Sequence, residues 1–215
     1  MERGNESLKQ RKSESERGTP VRPFTRRTGK PGHRSVAGDH GRTGCRQVSA
    51  RAIAKRIGYS PGTLYNLFEN IDAIVYQVNA ATLRDLAMAA MAAVENQTQP
   101  LDRAVALGRA YVDFAEAQPQ LWLAVFDFRP AAEGDSPAGF EEAVTLLFAV
   151  VNDCLTPFFT AEQEDLRAAS GRVLWSGVHG ISLLNVTGRL GQPDGMTAAD
   201  MAELLIRNFI RGLEA

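Results

Sequence analysis

Residues 48–74 constrain the fold of this chain more than any other stretch, and they read VSARAIAKRIGYSPGTLYNLFENIDAI. Ser49 is a candidate N-cap because its hydroxyl can satisfy free N–H groups in a first helical turn. Gly58 is a candidate stop, since glycine adopts a left-handed conformation at low cost. Ser60 and Pro61 suit the cap and the first position of a second helix. The stretch therefore predicts two short helices joined by a tight turn.

A short helix, a turn with glycine and a second short helix form the helix-turn-helix pattern, whose second helix enters the major groove of DNA. The outward positions of the second helix are small or polar, whereas Leu64, Leu67 and Phe68 form its expected inward face. A plain helical corner without a DNA-binding role is the alternative, because short helix pairs are common. The shortness and the polar outer face favour DNA binding.

Both helices offer candidate DNA contacts. Asn66 could pair with adenine, the Thr63 methyl group could touch thymine, and the Tyr65 hydroxyl could reach a phosphate. Arg51 and Lys55 are candidate contacts to the DNA backbone, with a merely solvated face as the alternative. The complete set of candidates is Ser49, Arg51, Lys55, Ser60, Pro61, Gly62, Thr63, Tyr65 and Asn66.

Charge is distributed unevenly along the 215 residues. Residues 1–56 carry 15 Lys and Arg against 5 Asp and Glu, whereas residues 57–215 carry 9 against 20. A basic end on an acidic body is typical of a protein with one DNA-binding end, although a disordered basic tail gives the same count. Residues 1–47 contain few large apolar side chains, so we expect no packed core there.

Several classes of protein are disfavoured by what the sequence lacks. It has no apolar run of about 18 residues and no secretory h-region, which predicts a cytoplasmic protein without a membrane partner. Cys45 and Cys154 lie far apart, so a reducing compartment is a simpler explanation than a disulfide. The chain contains no CxxC, Walker or HExxH motif, and we expect no cofactor, no metal and no enzymatic activity.

The remainder of the chain predicts long helices. The first covers residues 71–96, with an expected buried stripe of Ile74, Val78, Ala81, Leu86 and Ala89. Thr160 and Gln163 form a capping box that opens a helix running to about Leu190. Thr197 and Asp200 cap the last helix, whose expected buried stripe is Met201, Leu204, Leu205, Phe209 and Ile210.

The run AIAKRIGYSPGTLYNLFENIDAI resembles the DNA-binding segment of the TetR family of bacterial regulators. The matching elements are an A-x-x-x-G helix and turn, S-x-G-T-L-Y on the second helix, and F-x-N-x-D-x-I at the start of the third. The W-x-x-x-H-G element that begins at Trp175 resembles one C-terminal domain type in that family. The resemblance covers residues 48–213 and implies an all-α homodimer whose C-terminal domain binds a small-molecule effector and controls operator affinity.

The chain departs from the family just before the helix-turn-helix. Family members carry a preceding helix with an apolar face, but residues 28–47 have no apolar period of 3.6. The segment is either remodelled, lost or translated out of frame. In each case Ile53, Leu64 and Leu67 lose part of their expected cover.

Aromatic residues in the C-terminal part predict the effector site. A roomy pocket for a small hydrophobic or aromatic effector would be lined by Tyr111, Phe114, Trp122, Phe126, Trp175 and His179. His179 is either a core residue hydrogen-bonded to a helix backbone or a polar anchor in this pocket. Close approach of a neighbouring helix or of the ligand would explain Gly171, Ser176, Gly177 and Gly180, which are poor helix formers.

The sequence thus predicts three parts: a basic segment at residues 1–47, a helix-turn-helix region at residues 48–74, and an effector-binding and dimerisation domain at residues 75–215. The predicted function is a repressor that an effector releases from a palindromic operator. The alternative is a dimeric effector-binding or scaffold protein that has lost DNA binding through its N-terminal segment.

Overall fold

The computed structural model describes residues 49–129, 136–191 and 195–213, and every regular element within these ranges is helical. Two 3-10 turns, Thr156–Phe158 and Ala161–Gln163, lie between the sixth and seventh helices. The eight α-helices are α1 Ala50–Ile57, α2 Pro61–Leu67, α3 Ile71–Glu95, α4 Pro100–Ala117, α5 Pro119–Asp127, α6 Ala138–Leu155, α7 Glu164–Val186 and α8 Ala198–Leu213. The basic segment predicted for residues 1–47 lies outside the described residues, and so does Cys45.

The first three helices begin at the predicted residues, and α3 ends at Glu95, one residue before its predicted end. Ser49 Oγ accepts a hydrogen bond from the Ala52 amide at 3.2 Å, and Ser60 Oγ accepts one from Thr63 at 3.2 Å. Asn70 caps α3 through the Ala73 amide at 2.9 Å. Gly58 ends α1 with φ 78°, a conformation that glycine adopts without the steric cost of a side chain.

The caps of the last two helices also match the sequence pattern. Thr160 and Gln163 form the predicted capping box, and the Asp200 side chain accepts from the Thr197 amide at 3.0 Å. The prediction for α7 was wrong at both ends. The capping box closes a 3-10 turn rather than the α-helix itself, and α7 ends at Val186, ahead of Gly188 with φ 67°.

One hydrophobic core joins α3, α4, α6, α7 and α8, with α5 packed against it through Trp122. Its largest fully buried side chains include Trp122, Leu86, Leu155, Ile206 and Ile210. Cys154 is buried beside this core, and burial raises the pKa of its thiol. The core places α5 between the long helix α3 and the W-x-x-x-H-G segment of α7.

The predicted buried stripes of α3 and α8 were partly wrong. Val78 and Ala81 are exposed, whereas Asn79 and Thr82 of the same helix are buried. Apolar residues cover most of the circumference of α3, so the sequence pattern alone does not identify its buried face. Packing against α4 and α6 determines which face is buried. Leu204 of α8 is exposed as well, because Ala202 and Ile206 face the core.

Candidate nucleic-acid interface and effector site

The helix-turn-helix has a small core of its own. Ala50, Ala54 and Leu64 are buried against each other, and the half-buried Ile53 and Phe68 pack around them. The alanines are small enough for α1 and α2 to approach closely, which orients the outer surface of α2.

The candidate DNA contacts share the outer surface of this helix pair. Arg51 and Lys55 are exposed on α1, and Gly62, Tyr65 and Asn66 are exposed on α2. Ser49 and Ser60 act as helix caps, so their side chains are already engaged with backbone amides. Pro61 and Thr63 are half-buried, and Thr63 Oγ1 lies 3.0 Å from Ser60 Oγ. The predicted contacts therefore divide into caps that shape α2 and exposed side chains that are free to meet DNA.

The predicted inward face of α2 was correct for Leu64 but wrong for Leu67. Leu67 is 71% exposed and Ile57, at the end of α1, is 51% exposed. Within the described part of the chain, no element packs over these two side chains. The expected loss of cover is therefore met by Leu67 but not by Leu64, which is only 5% exposed.

The C-terminal aromatic residues form a cluster centred on His179. Its imidazole lies 4.4 Å from the ring centre of Phe126, 4.9 Å from that of Trp122 and 5.3 Å from that of Trp175. Tyr111 Oη is 2.9 Å from His179 Nδ1. Phe114 is buried in the same core but makes none of these ring contacts. The structure thus brings five of the six predicted residues into one cluster.

Burial keeps the polar groups of this cluster uncharged. It lowers the pKa of His179, because a half-buried imidazolium loses hydration, and it raises the pKa of Tyr111 far above that of a free phenol. A neutral imidazole and a neutral phenol therefore share the hydrogen bond. His179 is half-buried and bonds to the Tyr111 side chain rather than to a helix backbone, so its role as a polar anchor of a pocket stays a prediction.

Both tryptophan indoles of the cluster carry an unsatisfied donor. Nε1 of Trp122 and Nε1 of Trp175 are buried, and neither has a hydrogen-bond partner in the described protein. Both N–H groups approach the Tyr111 hydroxyl closely enough to oppose the rise in its pKa, but without the geometry of a hydrogen bond. Buried polar groups usually have partners, so two such donors in one cluster are unusual.

A cavity of about 40 Å³ adjoins the cluster, and Tyr111 and Trp175 are the only predicted residues that line it. The expectation of a roomy aromatic pocket was wrong, because the rings of Trp122, Phe126 and His179 pack against one another and fill the space. Aliphatic residues missed by the sequence analysis form most of the wall: Leu107, Leu147, Val151, Leu174, Val178 and Ile206, with Ala90, Ala104 and Gly108. Their spacing along five helices gives no local signal.

Two of the four small residues of α7 allow close approach of another helix. A Cβ at Gly171 would lie 3.3 Å from Val151 of α6, and one at Gly177 would lie 2.6 Å from Leu205 of α8. A Cβ at Gly180 would meet nothing within 4 Å, and Ser176 is exposed. Tight helix packing therefore explains Gly171 and Gly177 but neither of the other two.

Two further properties hold for residues 49–129, 136–191 and 195–213. These residues contain no group of three or more His, Cys, Asp or Glu side chains arranged to hold a metal ion. None of their helices is both long and apolar enough to cross a membrane.

Two sequence profiles match the chain over the regions just described. The profile of bacterial regulatory proteins of the tetR family matches residues 40–78, which contain the helix-turn-helix. The profile of the tetracyclin repressor-like C-terminal domain matches residues 104–209, which contain the His179 cluster. The chain belongs to the TetR family. It is accordingly an all-α, DNA-binding regulator of transcription.

Solved structures show the same fold at low sequence identity. A protein of unknown function from Rhodococcus sp. RHA1 superimposes with a TM-score of 0.63 and 23% identity, over 80% of this chain and 87% of that one. The TetR family transcriptional regulator PfmR from Thermus thermophilus gives 0.53 and 20% identity, over 79% and 91%. No curated protein matches the sequence.

Proposed function

We propose that this TetR-family regulator is a cytoplasmic homodimeric repressor, released from its operator by a small hydrophobic effector. Residues 48–74 would form the reading head and residues 75–215 the effector-binding and dimerisation domain. The observation that carries the proposal is the combination of an exposed polar face on α2 with an uncharged aromatic cluster beside an apolar cavity. DNA reading and effector sensing are thereby assigned to different ends of one chain.

The exposed face of α2 supports sequence-specific reading. Asn66 and Tyr65 project without intramolecular side-chain partners among the described residues, and Gly62 leaves room for close approach to DNA. Arg51 and Lys55 on α1 supply positive charge for phosphates on the flank. Asn66 would specify bases, whereas Lys55 would contribute affinity that is independent of sequence.

Binding of the full chain to a fluorescent fragment of the DNA that flanks its gene tests this assignment across a salt series. We expect tight binding that competitor DNA of unrelated sequence does not displace. Lys55→Ala should weaken binding to all sequences and reduce the slope of log K against log salt by about 1.8, which is about 0.9 for each of the two subunits. Asn66→Ala should cost about 1–3 kcal/mol per half-site on the specific fragment and little on unrelated DNA. Identical effects of the two substitutions on both DNAs would contradict the division of roles.

An exposed apolar stripe on α7 supports the homodimer. Leu166, Val173 and Leu184 are 52%, 61% and 44% exposed, and their spacing of 7 and 11 residues puts them on one side of the helix. The stripe is about 27 Å long at 1.5 Å per residue. Gly180 lies on the same side with open space in front of it, and Leu204 of α8 is exposed nearby. Contiguous apolar surface of this kind marks an interface.

A buried hydrogen bond supports a route from the effector site to the reading head. Asn79 of α3 donates from Nδ2 to the Ala124 carbonyl of α5 at 3.3 Å. Helix α5 carries Trp122 and Phe126 of the His179 cluster, and α3 begins directly after the helix-turn-helix. An effector that displaces α5 would therefore move α3 and change the orientation of the reading head.

The second candidate function is an effector-binding or scaffold protein without DNA binding, and the exposure of Leu67 and Ile57 favours it. The salt series distinguishes the two, because a folded dimer that binds DNA only weakly and without sequence preference would support this candidate.

A further inference from the structure

We infer that the effector is a neutral molecule with a hydrogen-bond acceptor, such as a ketone, ester or lactone. The acceptor atom would accept a hydrogen bond from the indole N–H of Trp175 or Trp122. This inference rests on the proposed function, because it specifies the ligand of the same C-terminal site. It narrows the ligand from hydrophobic molecules in general to one chemical class.

The two unsatisfied indole donors are the first observation. A buried N–H without a partner costs about 1–3 kcal/mol relative to one that is hydrogen-bonded. Trp122 is 1% exposed, and Trp175 lines the cavity directly. Tyr111, which both indoles approach, lines the same cavity. A ligand acceptor that enters beside Tyr111 would satisfy a donor that the protein leaves open.

The absence of charge from the site is the second observation. No ionised side chain lines the cavity within the described part of the chain, and His179 and Tyr111 both remain neutral. A buried carboxylate or ammonium group without a counter-charge would lose its hydration without compensation. The site therefore excludes anionic and cationic effectors.

The cavity volume limits the size of the ligand. A dry protein cavity that holds benzene has a volume of about 150 Å³, whereas the cavity here has about 40 Å³. A ring-sized ligand must therefore displace side chains at the wall, and Leu107 and Ile206 are flexible aliphatic groups in that position. No residue of α5 lines the cavity, so the proposed release of DNA requires that the ligand also shift α5 through the adjoining His179 cluster.

The chain contains only two tryptophans, so its NMR spectrum has two indole N–H signals, one from each donor. The full chain is titrated without DNA against cyclohexanone as neutral acceptor, methylenecyclohexane as its isostere without an acceptor, and cyclohexanecarboxylate as the anion. We expect cyclohexanone to move at least one indole proton downfield, methylenecyclohexane to bind without that shift, and cyclohexanecarboxylate not to bind.

Trp175→Phe and Trp122→Phe each remove one donor and keep an aromatic ring. At least one of them should weaken cyclohexanone binding about twofold to tenfold, the contribution of one net hydrogen bond, while methylenecyclohexane affinity changes by less than about twofold. Tyr76→Phe, in a separate aromatic cluster with Phe128 and Phe140, is the control and should change neither affinity.

No indole shift with cyclohexanone, equal losses for both neutral ligands, or preferred binding of the carboxylate would overturn the inference. Because the titration contains no DNA, these outcomes do not depend on the reading head. An acceptor-dependent indole shift in a chain that binds no DNA would uphold the ligand class and refute the repressor. Specific DNA binding without an indole shift would uphold the DNA-binding regulator and refute the ligand class.

Discussion

Replacement of Gly108 by alanine should block the effector cavity without unfolding the protein. Gly108 is buried in the interior of α4 and lines the cavity together with Ile206 of α8. A Cβ at this position would overlap Ile206 Cδ1. Surrounding side chains are packed as densely as an organic crystal, so the displaced methyl group has the cavity as its nearest free space.

The expected change in stability is the difference of two opposing effects. Alanine in a helix interior is favoured over glycine by about 0.8–1 kcal/mol. A shifted Ile206 side chain costs about 0.5–1.5 kcal/mol. The free energy of unfolding should therefore change by less than about 1 kcal/mol, which for a chain of this size shifts Tm by at most about 4 °C.

Ligand binding should respond far more strongly than stability. A ligand that enters the filled cavity must overpack the core, which costs about 1–3 kcal/mol, so cyclohexanone should bind about fivefold to a hundredfold more weakly to Gly108→Ala. DNA binding without ligand should be unchanged. The assays are the indole NMR titration, thermal unfolding and DNA anisotropy.

Gly177→Ala is the matched control for this substitution. Its Cβ would lie 2.6 Å from Leu205 Cδ2, at the tip of another flexible side chain, but neither residue lines the cavity. This variant should bind cyclohexanone like the wild type. Unchanged binding by Gly108→Ala, or an equal loss in both variants, would refute the assignment of the cavity to the effector.

Other parts of the structure lead to three more expected outcomes. Val173→Glu places a charge in the α7 stripe, so it should convert the dimer to a monomer in sedimentation. Leu146→Glu, at an exposed position of α6, should leave the dimer intact. A dimer in both variants would refute the stripe as the dimer interface. In urea unfolding, the wild type should lose stability relative to His179→Gln as the pH falls below about 6.5. The imidazole protonates there in the unfolded chain, whereas burial lowers the pKa of His179 in the folded protein. Parallel stability profiles of the two proteins against pH would contradict this. Asn79→Ala removes the hydrogen bond between α3 and α5 and should destabilise the fold by about 0.5–1.5 kcal/mol. The variant should still bind cyclohexanone but should no longer release DNA when the ligand binds. Normal release of DNA would exclude the route from α5 to α3.

Local signals in the sequence predicted the local structure well. Serine, asparagine and glycine caps define helix ends through hydrogen bonds within a few residues, so Ser49, Gly58, Ser60 and Asn70 could be identified without the fold. The same holds for the paired caps Thr160 with Gln163 and Thr197 with Asp200. Recognition of the helix-turn-helix rests on these short-range features.

Features that depend on packing between distant segments were not predictable in the same way. Asn79 is polar and buried because the Ala124 carbonyl, 45 residues away, accepts its hydrogen bond. The aromatic side chains were identified individually, but their mutual ring contacts, which reduce the expected pocket to a small cavity, depend on how α4, α5 and α7 meet. The aliphatic wall of that cavity comes from five helices and has no sequence period.

A DNase I footprint of the full-length chain on the DNA flanking its own gene tests the central claim most directly. The account predicts one discrete protected site with two related half-sites about one helical turn apart, as expected for a dimer with two reading heads. Protection should disappear with Asn66→Ala at a protein concentration that protects the site fully with the wild type. A folded dimer that protects no site, or covers the fragment uniformly, would contradict the claim that this chain is a sequence-specific regulator.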